Sequence, residues 1–135
     1  MAPMLFAKAI CKDEPIRVFN NGNLERDFTY IGDIVEGVIG VAECTSVSNM
    51  DTPPYYIFNI GNSKPVKLVE FISEMESAFG KSVLKKMCDM QPGDVKVTYA
   101  SILKLKKAAG YEPKTEIREG LALFAAWYRS YFKEG

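Results

Sequence analysis

Arg26 and Asp27 stand side by side in the run Phe19-Asn20-Asn21-Gly22-Asn23-Leu24-Glu25-Arg26-Asp27-Phe28-Thr29-Tyr30-Ile31. A guanidinium held near the mouth of an ordered loop can make paired hydrogen bonds to a phosphate. The same two residues also read as a surface ion pair with no ligand, and Arg-Asp steps are common enough that, on the residues alone, the plainer reading leads. Other chemistry is narrowed by what is missing. The chain has no histidine, which excludes Ser-His-Asp and Cys-His catalysis and most zinc sites. Acid-base work would fall to Asp, Glu, Tyr, Lys or Cys. Cys11, Cys44 and Cys88 form an odd, widely spaced set that fits neither a disulfide framework nor a zinc site. They read as small buried hydrophobes.

The elements around Arg26 are a strand before it and a helix after it. Ile16-Arg17-Val18-Phe19 is a short apolar strand. Asn20, Asn21 and Gly22 then let the backbone take positive φ, and Asn23 can bond its own backbone. From Asp33, the residues Ile34, Val35, Val38, Ile39 and Ala42 recur at helical spacing, with Asp33 suited to the start of the helix dipole. Gly37 and Gly40 inside that helix each cost roughly 1 kcal/mol relative to Ala, which close approach of another backbone would offset.

Further out, residues 3–12 read as a helix opened by Pro3 and apolar on nearly every face, a helix expected to pack on something outside the chain. Residues 45–54 are a polar loop. Residues 55–60 are a strand of aromatic and branched side chains, with burial on both faces expected. The clearest amphipathic helix runs over residues 68–79, with Leu68, Phe71, Ile72, Met75 and Phe79 inward and Gly80 as its stop. Residues 82–87 are a weakly patterned strand, and Pro92-Gly93-Asp94 is a turn signal. A short helix over residues 102–109 ends at Gly110. Thr115 opens a last helix to about Lys133, with Ile117, Leu121, Phe124, Ala125, Tyr128 and Phe132 inward and Trp127 in a structural role.

The 135 residues suit one domain, and 17 basic and 17 acidic side chains cancel. No field for nucleic acid or an anionic membrane surface is implied. No run approaches the roughly 20 apolar residues of a membrane span, and no secretory leader is legible at the N-terminus. A cytoplasmic protein is expected.

The run from Asn20 to Ile31 resembles the same region of the nucleotide-sugar epimerases of the extended short-chain dehydrogenase family, with the UDP-glucuronate 4-epimerases the nearest branch. Met90-Gln91-Pro92-Gly93-Asp94-Val95, Asn59-Ile60-Gly61 and Gly110-Tyr111-Glu112-Pro113 carry the likeness along the chain, over residues 2 to 133. Gly32 departs from it, standing where the family has an acidic residue or His before Asp33. The resemblance implies that Arg26 contacts the diphosphate of a UDP-sugar and that Phe19 lies against the uracil. It also implies that Asp94 bonds a ribose hydroxyl, and that Gln91 sits near the diphosphate where some relatives have a basic residue.

A nicotinamide epimerase of that family needs a glycine-rich turn for the cofactor pyrophosphate and a tyrosine made acidic by a nearby lysine. Neither is here: no Gly-x-x-Gly-x-x-Gly occurs, and no tyrosine has a lysine four residues on. The expectation is therefore a mixed α/β chain, residues 1–135 as one partial domain. It would be the small C-terminal substrate-binding part of a Rossmann-type enzyme without its dinucleotide-binding part, with no catalytic residue and no NAD site of its own. NAD would serve the intact enzyme, which inverts C4 of the sugar. The chain alone would bind UDP-sugar weakly and either meet a missing cofactor domain or self-associate. A dTDP-sugar dehydratase or a UDP-glucuronate decarboxylase shares the scaffold. From other classes, a stand-alone binding or regulatory module, or a small protein-interaction domain, remains open.

Overall fold

The computed structural model describes residues 2–44 and 56–133, which fall into two compact units. The first comprises residues 1–26, 66–98 and 116–135; the second comprises residues 27–65 and 99–115. The loop read over residues 45–54, and Tyr55, lie outside the described residues.

The first unit holds helix α1 (Ala2–Cys11), strand β1 (Ile16–Phe19), a 3-10 turn (Asn20–Gly22), and strands β2 (Glu25–Arg26) and β3 (Val66–Lys67). Helix α3 (Leu68–Phe79), strand β4 (Lys85–Cys88) and helix α5 (Ile117–Phe132) complete it. Helix α3 is its centre. The expected stripe of Leu68, Phe71, Ile72, Met75 and Phe79 is buried, and burying side chains of this size stabilises by about 1.5–3 kcal/mol each. Gly80 ends the helix in the left-handed conformation, its N–H donating to the Glu76 and Ser77 carbonyls. Helices α1 and α5 both pack on α3.

Helix α1 finds more cover than its composition predicted. Phe6, Ala7, Ala9 and Ile10 are buried, with the Phe6 ring 6.2 Å from that of Phe71, while Leu5 is 65% exposed. On α5, Leu121, Ala125 and Tyr128 are buried as expected, and Tyr128 and Phe124 meet the Phe79 ring edge-on. Two readings of α5 are corrected. Phe132 is 43% exposed rather than inward, and the helix is entered through Glu116 with no side-chain cap. Thr115 turns its hydroxyl to Asp33 instead. Strands β1 and β4 run parallel, Ile16 opposite Lys85 through Phe19 opposite Cys88, with Ile16 and Val18 facing the core.

The second unit holds helices α2 (Ile31–Glu43) and α4 (Leu103–Ala109). Helix α2 packs on α4 with a face of small and polar residues. Asp33 and Gly37 are its buried positions. A Cβ at Gly37 would lie 3.0 Å from the Tyr111 ring, and one at Gly40 would lie 3.4 Å from Ala109 Cβ. Cys44 Sγ donates to the Ala108 carbonyl. The close neighbour of Gly37 is thus a side chain and not the expected backbone. Of the apolar residues read at helical spacing, Val35, Val38 and Ile39 are about half exposed, and Ile31 on the same side is more so. Residues 56–60 form no strand among the described residues, and Tyr56 and Ile57 are exposed rather than buried on both faces. All three cysteines are partly exposed, not buried.

Candidate functional site

Two loops leave the carboxyl ends of the parallel pair β1 and β4, the end of a parallel sheet at which ligands gather. The loop after β1 turns as the Asn-Asn-Gly sequence demands: Asn20, Asn21 and Gly22 have φ of 49°, 50° and 80°. Asn20 Nδ2 donates to the Asn23 carbonyl at 2.7 Å, and the Asn23 amide returns a bond to the Asn20 carbonyl at 2.8 Å. Gly22 is required twice over, by its φ and because a Cβ would stand 2.5 Å from Val69 Cγ1. The chain then enters β2, antiparallel to β3. The Glu25 amide donates to the Lys96 carbonyl at 2.8 Å, and the Thr98 amide to the Glu25 carbonyl at 3.2 Å.

Arg26 projects from this frame. Its Nη1 donates to the Glu25 carbonyl at 2.8 Å and the Lys96 carbonyl at 3.3 Å, and its Nη2 to Asp94 Oδ1 at 2.6 Å. Both side chains of this ion pair are mostly covered, 24% and 29% exposed, so the bond is charge-assisted and only partly screened. Asp94 comes from the other loop, where the Asp94 amide donates to the Gln91 carbonyl at 3.2 Å and Gly93 takes φ 81°. Its Oδ1 also accepts the Val95 amide at 2.9 Å.

The structure thus joins Arg26 directly to Asp94, two of the expected site residues that lie 68 positions apart in sequence. Phe19 is half-buried at the end of β1, opposite Cys88, with the Arg17 guanidinium 5.5 Å from its ring centroid. Gln91 lies exposed, three residues beyond Cys88 on the loop that carries Asp94. The plainer reading of Arg26 with Asp27 as a surface pair is replaced. Arg26 pairs with Asp94, and the Asp27 carboxylate takes three backbone amides, those of Asn62, Ser63 and Ala100, each at 3.1 Å. The sequence reading assigned Asp27 no such role, since the amides it accepts lie 35, 36 and 73 positions away.

Two further arrangements belong to the second unit. Asp33 accepts the Thr115 amide and hydroxyl, both at 3.1 Å. The Tyr111 hydroxyl donates to the Gly61 carbonyl at 3.0 Å. Burial pushes the Tyr111 phenol above its ordinary value, and the charges of Asp33, Asp27 and Glu36 push it the same way. A phenol shifted upward is the opposite of one prepared to take a proton at neutral pH. Among the described residues no three metal-ligating side chains form a cluster, and no helix is long and apolar enough to cross a membrane.

No family model matches the chain, but whole-sequence and structural comparisons do. It is 39% identical to protein CapI of Staphylococcus aureus over 99% of this chain and 43% of that protein. It is 34% identical to a probable UDP-glucuronate 4-epimerase of Rhizobium meliloti over 95% of this chain and 41% of that one. The crystal structure of the Bacillus cereus UDP-glucuronic acid 4-epimerase, in complex with UDP-glucuronic acid and NAD, superimposes with a TM-score of 0.83 at 28% identity, covering 97% of this chain and 40% of that one.

Fold and sequence together make this chain homologous to the C-terminal part of the extended short-chain dehydrogenases that act as NAD-dependent nucleotide-sugar epimerases. Within that class its relatives include UDP-glucuronate 4-epimerases of bacteria and plants. The chain spans about two-fifths of the length of the curated relatives it matches. The glycine-rich turn between a strand and a helix that holds a dinucleotide pyrophosphate does not occur in its sequence.

Proposed function

We propose that this chain is the UDP-sugar-binding part of an NAD-dependent nucleotide-sugar 4-epimerase, acting on UDP-glucuronate to give UDP-galacturonate, and that residues 1–135 form its single sugar-nucleotide-binding domain. The observation that carries the reading is the held guanidinium of Arg26 at the carboxyl ends of β1 and β4. A guanidinium has five N–H donors. Three hydrogen bonds hold it to the Glu25 and Lys96 carbonyls and to Asp94, which leaves donors for a diphosphate. Phe19 offers a ring face for the uracil, Asp94 has a second oxygen for a ribose hydroxyl, and Gln91 is near enough along the loop to add a neutral donor to the diphosphate. The identity to UDP-glucuronate 4-epimerases supports the choice of sugar.

Hydride transfer belongs to the NAD of the intact enzyme, and proton transfer to a tyrosine that this chain does not supply. Its own part is to grip the nucleotide and so fix where C4 lies. Charge-assisted hydrogen bonds are worth roughly 1.5–3 kcal/mol each, so a chain that supplies part of the pocket binds UDP weakly. Calorimetric titration with UDP tests this. Arg26→Ala is expected to weaken binding by about tenfold or more, while titration with NAD gives no heat. Equal UDP affinity in Arg26→Ala would remove the site. Incubation of the chain with UDP-glucuronate and NAD is expected to yield no C4 epimer by chromatography, and enzyme-dependent conversion would overturn the division of labour.

A further inference from the structure

Strands β1 and β4 give one face to the core and leave the other open. Ile16 and Val18 are buried, so Arg17 and Phe19 stand on the opposite face. The parallel register sets Lys86 opposite Arg17 and Cys88 opposite Phe19. The open face thus carries two cations side by side, next to the half-buried ring at the carboxyl end of β1. Like charges directly opposite one another on neighbouring strands are destabilising. Arg26 is neutralised by Asp94, whereas neither Arg17 nor Lys86 has a carboxylate partner among the described residues. The Arg17 guanidinium instead lies over the Phe19 ring, 5.5 Å from its centroid. Both cations are exposed, so their donors are open to a ligand.

We propose that Arg17, with Lys86 beside it, is a specificity-determining residue for the base of the bound nucleotide, and selects uracil over cytosine. Stacking on an aromatic ring is tolerant of base identity, so Phe19 by itself does not separate the two pyrimidines. They differ at C4, where uracil carries an acceptor oxygen and cytosine a donor amino group. The direction of the nucleotide fixes where C4 falls. Arg26 and Asp94, assigned to the diphosphate and the ribose, belong to the segments beyond the carboxyl ends of β1 and β4. A base on Phe19 therefore has its sugar on that side and its far edge, with C4, directed back along the strands. Arg17 is two residues back, about 7 Å along a strand, which is the scale of a pyrimidine ring. A guanidinium and an ammonium donate hydrogen bonds and accept none. They favour the uracil oxygen and set donor against donor at the cytosine amine. The inference rests on the reading of Phe19 as the base platform, and it gives Arg17 a task separate from that of Arg26.

Titration of the chain with UDP, CDP and inorganic pyrophosphate separates these tasks. The unsubstituted chain is expected to bind UDP about tenfold more tightly than CDP, a preference of the size of one charge-assisted hydrogen bond. Arg17→Ala and Arg17→Gln are each expected to abolish that preference by weakening UDP alone, with pyrophosphate affinity and the thermal midpoint unchanged. Arg26→Ala is expected to lose pyrophosphate. The proposal is overturned if the chain binds UDP and CDP equally, or if both Arg17 variants keep the preference. It is also overturned if they weaken UDP, CDP and pyrophosphate alike, which would make Arg17 a general phosphate cation. Unchanged pyrophosphate and UDP affinity in Arg26→Ala would remove the diphosphate site, while a UDP preference that Arg17→Ala abolishes would still stand for the base. Absence of binding by all three ligands would overturn both readings.

Discussion

Asp94 does more for Arg26 than share a pocket with it. An arginine side chain carries about 2 kcal/mol of rotamer entropy, and the 2.6 Å bond to Asp94 with the two carbonyl bonds removes that freedom before any ligand arrives. Asp94→Ala is therefore expected to lower UDP affinity severalfold, through loss of the orientation of Arg26 together with the proposed ribose contact, with little change in melting because the pair is partly exposed. Titration beside a thermal melt reads both. A melt that falls while affinity holds would make Asp94 a purely structural residue. Neighbouring space is tight elsewhere. A Cβ at Gly61 would stand 2.6 Å from Ala100 Cβ and 2.9 Å from Asp27 Oδ2, atoms that the three amide bonds to Asp27 hold in place. Gly61→Ala is expected to cost about 1–3 kcal/mol by overpacking, measured by urea unfolding. Tyr111→Phe removes one buried hydrogen bond, worth about 1 kcal/mol. Because burial and nearby carboxylates raise the phenol above 10.0, its contribution is complete below that pH and fades as pH climbs through the higher folded value. The phenylalanine variant is expected to lose that alkaline dependence.

The elements differ in how much of them periodicity reveals. Helix α3 was legible residue by residue because its apolar stripe serves a core made within the chain. Helix α2 was legible as a helix, and Gly37 and Gly40 as points of close approach, but hydrophobic period alone does not say that these glycines make the contact while Val35 and Val38 stay exposed. The strand expected at residues 55–60 fails for a related reason: composition reports what a segment prefers to be buried against and not where that partner is. Thr115 carried the right residue type for a cap, but Asp33, 82 residues away in sequence, claimed its hydroxyl. No local signal announces such a bond. Between α3 and β4, Glu76 is a clamp: it accepts the Val83 amide at 2.8 Å and the Lys85 ammonium at 2.7 Å. Burial pushes its carboxyl up, but Lys85 and the Val83 amide pull harder, and the value ends below 4.5. The clamp's stability is thus present above the unfolded value and lost as pH falls through the lower folded one. Glu76→Gln is expected to flatten the acid limb of the stability profile below pH 4.5, as read from melts over a pH series. An acid limb unchanged by the substitution would assign it to other carboxylates.

At the scale of the whole chain the core is unequally shared. Among the described residues Leu105 and Tyr111 are the buried apolar side chains of the second unit, and all the others, from Phe6 to Tyr128, belong to the first. Local opening costs least where few apolar contacts must be broken. The amides of α2 and α4 are therefore expected to exchange with solvent through openings of lower free energy than those of α3 and β1, although α2 is a regular helix of 13 residues. Helical hydrogen bonds alone do not protect a helix of that length, since nucleation is costly and most helical stability in proteins comes from packing an apolar face, which in α2 points outward. Deuterium uptake followed by peptide mass spectrometry separates the two sets. Peptides from residues 31–43 are expected to be fully labelled while those from residues 68–79 still hold protium. Equal protection across both would mean that the chain opens as one cooperative body and that the outward stripe costs the second unit nothing.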